Sequence, residues 1–590
     1  MFKPYKLIRI ALLIICIYLQ SLPSFAQSIA PNIKRILFLG NSITWAGNYV
    51  NDIEAYVKVQ YPGRQLEFIN VGLPSETVSG LSEPGHAGGR FPRPDLHERL
   101  ARVLEQTKPD LVFACYGMND GISMPFDKDR FQKFKEGINW LHDEVVKTGA
   151  TLIHLTPTDY DEVKGNSKGY SAVLDHYADW ILSMRSSSKW EVIDIHYPMK
   201  KYLEAHRKVD LKFGLDGFEL APDGVHPGET GHWIIARQIL LYLGFKEVAK
   251  SPGIIESLQH VPNAERLVKL VTERQGMMRD AWLMATKHKR PGLPVGLPLS
   301  EAQKMSDELI HEISAVIQNK KIAEVYLIGG QSNATGQGYM ANMADTMKIN
   351  KRVMLFHSAP PGLNSGFPAY TWQPMHQASE SPDRFGPELG FASRIMASSP
   401  GAQIAIIKHA RSGTNLYSQW NPGNDEQDSL HYGSEFKEFM KTVNAGLDSL
   451  RARGYEPLIR GMIWQQGEAE AYSPDSISVQ YGILLKHFID RVREQMHAPG
   501  MAFLCGYVCP PPLTGSGIRT VRQAEHDIDE KSGMALSVTG AFVIQTDDLS
   551  QRANDKDTQY PQDHLHFGTD GTWVLGVRMA LIMNDVLDKR

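Results

Sequence analysis

DGVHPGETGHW, residues 223–233, and DHLHFGTDGTW, residues 563–573, are built alike: Asp-x-x-His, one residue, then Gly-x-x-Gly-x-Trp. Each runs straight into an apolar tail with helical spacing. Read backwards from either one, the chain shows short apolar runs alternating with longer helical patterns, the signature of βαβ units and a parallel sheet. Before the first lie RILFLG, LEFINVG, DLVFACYG, TLIHLTP and WEVIDIH. Before the second lie EVYLIGG, RVMLFHS, AQIAIIKHA, LIRGMIWQQG and MAFLCGYV. Each series opens on a strand that ends in Gly, a polar residue and Ser: ILFLGNS to Ser42 and VYLIGGQS to Ser332. The chain is an internal repeat, with two domains that each have their own start and finish.

The expected fold is therefore α/β, two doubly wound three-layer domains with parallel sheets, spanning residues 27–250 and 322–590. Residues 251–321 read as a helical connector. Leu267, Leu270, Val271 and Met278 keep helical spacing there, RPGLPVGLP breaks the chain, and Ser300 with Gln303 spells a capping box for a further helix.

The first 26 residues differ from the rest. Lys3, Lys6 and Arg9 precede the apolar run IALLIICIYL and then the small-residue site SFAQS, the order of a secretory signal peptide cleaved after Ala26. The run is short for a membrane span, and Cys16 lies inside it rather than at its end. The expected location is secreted or periplasmic, with no membrane span once the leader is removed. The full chain is ordinary globular material, 42% hydrophobic and 22% charged with a net charge of −4; without the three basic residues of the leader, 59 basic residues face 66 acidic ones, a net charge of −7, and no basic patch points to nucleic acid. Four cysteines, one of them in the leader, exclude a disulfide framework, and the C-x3-C of Cys505 and Cys509 matches no zinc spacing. Those two either bridge or stay apart; Cys115 reads as a small buried apolar residue.

The chemistry follows from the repeated residues. A serine hydroxyl becomes a useful nucleophile when an imidazole takes its proton, and a carboxylate on the other ring nitrogen fixes the tautomer. Asp223 with His226, and Asp563 with His566, can supply both groups from one short loop. Ser42 and Ser332 follow strands, where open parallel sheets place reactive groups.

These residues carry a resemblance. The first half resembles the GDSL or SGNH hydrolases: GNSIT matches block I with Asn41 in place of the usual Asp, NVGLPSETVSG block II through Gly72, YGMND block III through Asn119, and APDGVHP block V. The second half resembles the SASA-type acetylesterases, the sialate O-acetylesterase and carbohydrate esterase family 6 group. GGQSNATGQG matches the nucleophile block, HARSGTN offers Gly413, IWQQGEAEA matches W-x-Q-G-E through Gln466, and DHLHFG matches the terminal block. The resemblance implies an oxyanion hole in each half. In the first, the donors are the backbone N–H groups of Ser42 and Gly72 with the Asn119 amide; in the second, those of Ser332 and Gly413 with the Gln466 amide.

Several residues have plainer readings. His564 and His566 could pair on a metal, but no matching cluster accompanies them, so neither a metal nor a cofactor is expected. His232, one turn after His226, reads as helix surface, and GNSKG at 165–169 reads as a loop because no strand precedes it. Glu468 either orients the Gln466 loop or is solvated. Tyr370, Trp372, Tyr417 and Trp420 either stack on sugar rings or belong to the core. The resemblance implies a serine acetylesterase acting on an acetylated polysaccharide, a xylan-like hemicellulose above others. Its rivals are a sialate O-acetylesterase, a lipid or aryl esterase, and a single active domain beside a glycan-binding scaffold.

Overall fold

The computed structural model describes residues 29–213, 218–425, 427–512 and 514–588; the proposed leader lies outside them. The chain folds as two compact units that divide between Leu309 and Ile310. No helix among the described residues is long and apolar enough to cross a membrane.

In the first unit, β1 (Arg35–Gly40), β2 (Glu67–Asn70), β3 (Leu111–Cys115), β4 (Thr151–Leu155) and β5 (Glu191–Ile193) form one sheet in the order β2-β1-β3-β4-β5. Every pairing is parallel. Helices cover both faces of such a sheet, so its strands read as continuous apolar runs rather than alternating ones. That is why Leu37, Phe38, Leu39, Val112 and Phe113, neighbours along β1 and β3, are all buried.

Part of the segment read as a connector belongs to this unit's packing. The helix Ala264–Ala285 lies against the helix Asn48–Gln60 and β2. Arg274 Nη1 meets Glu54 Oε1 at 2.8 Å with both side chains buried, and the Gln275 amide donates to Glu54 Oε2 (2.5 Å) and to the Phe68 carbonyl (3.0 Å). Further along, Arg279 donates to the Trp45 carbonyl (2.8 Å) and stacks over the Trp45 ring at 4.3 Å. The next helix starts at Leu299, two residues earlier than the start at Glu301 that a Ser300 capping box implies. The Pro298 carbonyl accepts from Glu301 and Ala302, so Ser300 lies inside the first turn rather than capping it.

The second unit contains β6 (Lys321–Gly330), β7 (Gly338–Tyr339), β8 (Met354–His357), β9 (Gln373–Pro374), β10 (Arg384–Phe385), β11 (Ile404–Lys408), β12 (Tyr455–Gln465), β13 (Ala502–Gly506) and β14 (Ala541–Ile544). Its main sheet runs β14-β13-β12-β6-β11-β8-β9, and β7 pairs with β10 apart from it. Taken alone, β11, β6, β12, β13 and β14 repeat the order of the first unit. β8 extends that sheet in parallel, and the two-residue β9 closes it antiparallel. β7, β9 and β10, two residues each, are too short to show a period; β14, as long as β2 and β8, is missing from the apolar runs quoted above.

Candidate active sites

In the first unit the chain leaves β1 and turns at once into the short helix Ser42–Ala46. Asn41 caps it, its side-chain oxygen accepting from the Ile43 N–H at 3.0 Å. The Ser42 hydroxyl lies 2.8 Å from His226 Nε2, and His226 Nδ1 lies 2.6 Å from Asp223 Oδ2. The Asp-His loop holds itself in shape, because Asp223 Oδ1 also accepts the backbone N–H of Val225 and of His226. Burial pushes the Asp223 carboxyl up, but the His226 ring and those two N–H groups outweigh it and hold the carboxyl below its usual range. Gly224 is left-handed at φ 85°, and a Cβ there would stand 2.6 Å from the Gly165 Cα. The GNSKG segment is thus a loop that braces the catalytic loop.

The donors around Ser42 differ in part from those expected. Asn119 is buried beside the site, its amide donating to the Glu76 carbonyl at 3.1 Å. Asp120 ties the two loops together by accepting the N–H groups of Val78, Ser79 and Gly117. Gly72, however, spends its N–H on the Asn70 side chain (2.9 Å), so it is not a free oxyanion donor. It is a packing residue: a Cβ would stand 2.3 Å from the Trp45 nitrogen, against the nucleophile helix. Among the described residues, the backbone N–H of Ser75, left-handed at φ 70° between Leu73 and Glu76, has no hydrogen-bond partner. No sequence pattern marks it, since serine seldom adopts that conformation.

The second unit repeats the arrangement. Ser332 opens the short helix after β6, its hydroxyl 2.9 Å from His566 Nε2, and His566 Nδ1 lies 2.8 Å from Asp563 Oδ2. Asn333 locks this geometry, its amide donating to Glu468 Oε1 (2.7 Å) while its oxygen accepts from the Phe567 N–H (3.0 Å). Glu468 is therefore buried and orienting rather than solvated. Arg552, which the sequence reading did not single out, places Nη1 3.5 Å from Asp563 Oδ2 and its backbone N–H on the His566 carbonyl (2.7 Å). Its guanidinium stacks on Tyr560 at 3.6 Å. Burial opposes the Asp563 charge, yet the His566 ring and the backbone donors bring the carboxyl down to about 2.

Gln466 is buried, and its amide nitrogen is shared among Glu470 Oε2 (2.6 Å), Gln331 Oε1 (3.2 Å) and the Thr414 carbonyl (3.3 Å). It is held beside the nucleophile turn, but it must give up one of these acceptors to stabilise an oxyanion. Gly413 is exposed and left-handed at φ 71°.

Three aromatic or histidine readings change. Trp372 is buried, its indole N–H donating to the Gly446 carbonyl, and Trp420 is buried edge-on against Trp464. Neither can stack on a substrate, because both complete the core beneath the sheet ends. His232 is buried too, stacked on Tyr49 and pushed down to about 4 by burial. It faces inward because the helix Glu229–Tyr242 turns that side to the helix Asn48–Gln60. Cys115, Cys505 and Cys509 are free and buried, so the C-x3-C pair is not bridged.

Residues 38–234 match the GDSL-like lipase/acylhydrolase family, and residues 322–585 match the carbohydrate esterase, sialic acid-specific acetylesterase family. The chain carries one domain of each, in tandem. It is an ester hydrolase. Among curated proteins it is 24% identical over 237 residues to an acetylxylan esterase of Geobacillus stearothermophilus, covering 36% of this chain and 96% of that protein. A solved structure of that organism's acetylxylan esterase, a catalytic mutant, shares 22% identity at a TM-score of 0.29, over 37% of this chain and 96% of the other. A solved Arabidopsis thaliana protein shares 18% identity at a TM-score of 0.33, over 44% and 98%.

Proposed function

We propose that the protein is an exported carbohydrate acetylesterase in which both units are catalytic, removing O-acetyl groups from acetylated plant polysaccharide, xylan-like hemicellulose first. The observation that carries this reading is that each unit holds a serine hydroxyl within 2.9 Å of a histidine whose other nitrogen meets an aspartate. In each, the serine attacks the acetyl carbonyl while the histidine takes its proton, and the histidine then returns that proton to the departing sugar hydroxyl. Water, deprotonated by the same histidine, releases acetate from the acetyl-serine. Developing negative charge on the carbonyl oxygen is met in the first unit by the Asn119 amide with the backbone N–H groups of Ser42 and Ser75. In the second it is met by the Gln466 amide and the N–H groups of Ser332 and Gly413.

The acetyl specificity is supported by the family of the second unit and by the acetylxylan esterase relative. Export is supported by the basic, apolar and small-residue order of residues 1–26 and by the size of a polymeric substrate. Acetate release from acetylated xylan, xyloglucan, pectin and O-acetyl sialate, measured beside 4-nitrophenyl acetate, tests the substrate. Acetylated xylan is expected to lead, and release from the aryl ester alone would overturn the carbohydrate reading. A mature N-terminus at Gln27 in the exported fraction, read by mass spectrometry, tests the leader.

A further inference from the structure

With Trp372 and Trp420 in the core, the second site needs another surface to hold a sugar. Two tyrosines flank it from the loops on either side. Tyr417 follows β11 on the loop of Gly413 and is 46% exposed; Tyr472 follows β12 on the loop of Gln466 and is 65% exposed. Among the described residues they are the two most exposed aromatics of the unit, ahead of Phe367 at 44% and Tyr560 at 41%.

Their backbones are fixed by the residues that fix the catalytic groups. Glu470, fully buried, accepts the Leu416 N–H (2.5 Å) and the Tyr417 N–H (3.1 Å) on one oxygen and the Gln466 amide (2.6 Å) on the other. The short helix Glu468–Ala471 carries Glu470 and ends at Tyr472, whose N–H bonds the Glu468 carbonyl at 3.1 Å. Glu468 in turn holds Asn333, the neighbour of the nucleophile. The N–H of Ala469 reaches Gln331, the residue before Ser332. A single carboxylate therefore sets the spacing between the Tyr417 loop, the Tyr472 loop and the oxyanion amide.

We propose that Tyr417 and Tyr472 form a stacking subsite for the pyranose rings that carry or adjoin the acetyl group at Ser332. A pyranose presents flat patches of C–H bonds between its hydroxyls, and a tyrosine ring offers a rigid apolar face with few rotamers to freeze. This rests on the carbohydrate reading above and deepens it for the second unit.

The test uses the full chain carrying Ser42→Ala, so that only the second site turns over. In that parent, Tyr417→Ala, Tyr472→Ala, the pair together, and the two Tyr→Phe variants are assayed on acetylated xylo-oligosaccharide and on 4-nitrophenyl acetate. The expected result is that the ratio of kcat/KM for oligosaccharide over aryl ester falls about 3- to 10-fold for each alanine variant, chiefly through KM. The losses multiply in the pair, and the phenylalanine variants keep the parent ratio. An unchanged ratio in the alanine variants, with a parent that deacetylates the oligosaccharide, overturns the stacking subsite alone. A parent that cleaves only the aryl ester overturns the carbohydrate reading of this site and the subsite with it.

Discussion

The two Asp-x-x-His loops share the spacing of their Asp, His, two Gly and Trp residues and differ in their surroundings. In the first unit the His226 and Asp223 side chains are 50% and 56% exposed; in the second, His566 and Asp563 are 24% and 16% exposed. The first loop is braced by backbone, with Gly224 against Gly165. The second is braced by side chains: Arg552 beside Asp563, and Asn333 and Glu468 beneath the nucleophile. Charge interactions weaken in water and strengthen as water is excluded. The first triad therefore depends on local geometry, and the second on a network that must stay intact.

The sharpest way to break the comparison is to remove each nucleophile. A triad acts as a unit, and losing its serine costs on the order of 10⁶ in rate. Ser42→Ala and Ser332→Ala should each silence one site and leave the other's substrates turning over, with the double variant inert across a panel of acetylated glycans. If one single variant abolishes everything and the other changes nothing, the comparison is between an enzyme and a scaffold.

The supports can be broken separately. Arg274→Ala removes the nearer of Glu54's two cationic partners, leaving Lys58 Nζ at 3.5 Å and the Gln275 amide, a loss of about 1.5–3 kcal/mol. Thermal unfolding with a probe in each unit should show the first destabilised and the second untouched. Equal destabilisation of neither would mean that the helix Ala264–Ala285 is not integral to the first unit.

Asn119→Ala should lower kcat in the first unit by about 10²–10³, with a small loss of Tm from the single bond its amide makes to the Glu76 carbonyl. Gln466→Ala should lower both kcat and Tm, the latter by more than Asn119→Ala, because it strips the buried Glu470 carboxyl, Gln331 and the Thr414 carbonyl of one shared donor. Equal stability of the two variants would remove the distinction drawn between the donor sets.

The smallest effect lies in acid. The Asp563 carboxyl sits at about 2 against an ordinary 3.8. A carboxyl held low in the folded state stabilises it above 3.8, and that contribution fades as pH falls towards 2. Urea unfolding of the second unit between pH 5 and 2 should therefore lose stability through this window, and Asp563→Asn should flatten that slope. The same slope in wild type and variant would assign the acid sensitivity to other groups.

Much of the architecture was legible because it repeats. Strand, Ser, apolar runs and Asp-x-x-His recur in order, and fully buried parallel strands announce themselves as unbroken apolar runs. The triads were legible for the same reason, since each Asp-His pair is local and each Ser marks the end of a first strand. The two-residue β7, β9 and β10 were not, having no room for a period.

Spacing along the chain thus determined the fold class, the tandem and the members of both hydrogen-bonded Ser-His-Asp sets. Whether a given N–H is free, which aromatic is core and which is exposed, and which distant side chain reaches a loop were decided only by the tertiary structure. Gly72 could not be read as occupied without Asn70 folded against it, nor Trp420 as buried without Trp464 and Phe488 around it. Arg552 neighbours Asp563 across a turn, and Glu470 joins two loops more than fifty residues apart in sequence. The physical reason is that hydrogen bonding and burial are contests among all groups brought together by folding. A sequence names the contestants, and only their positions in space settle which pairs form.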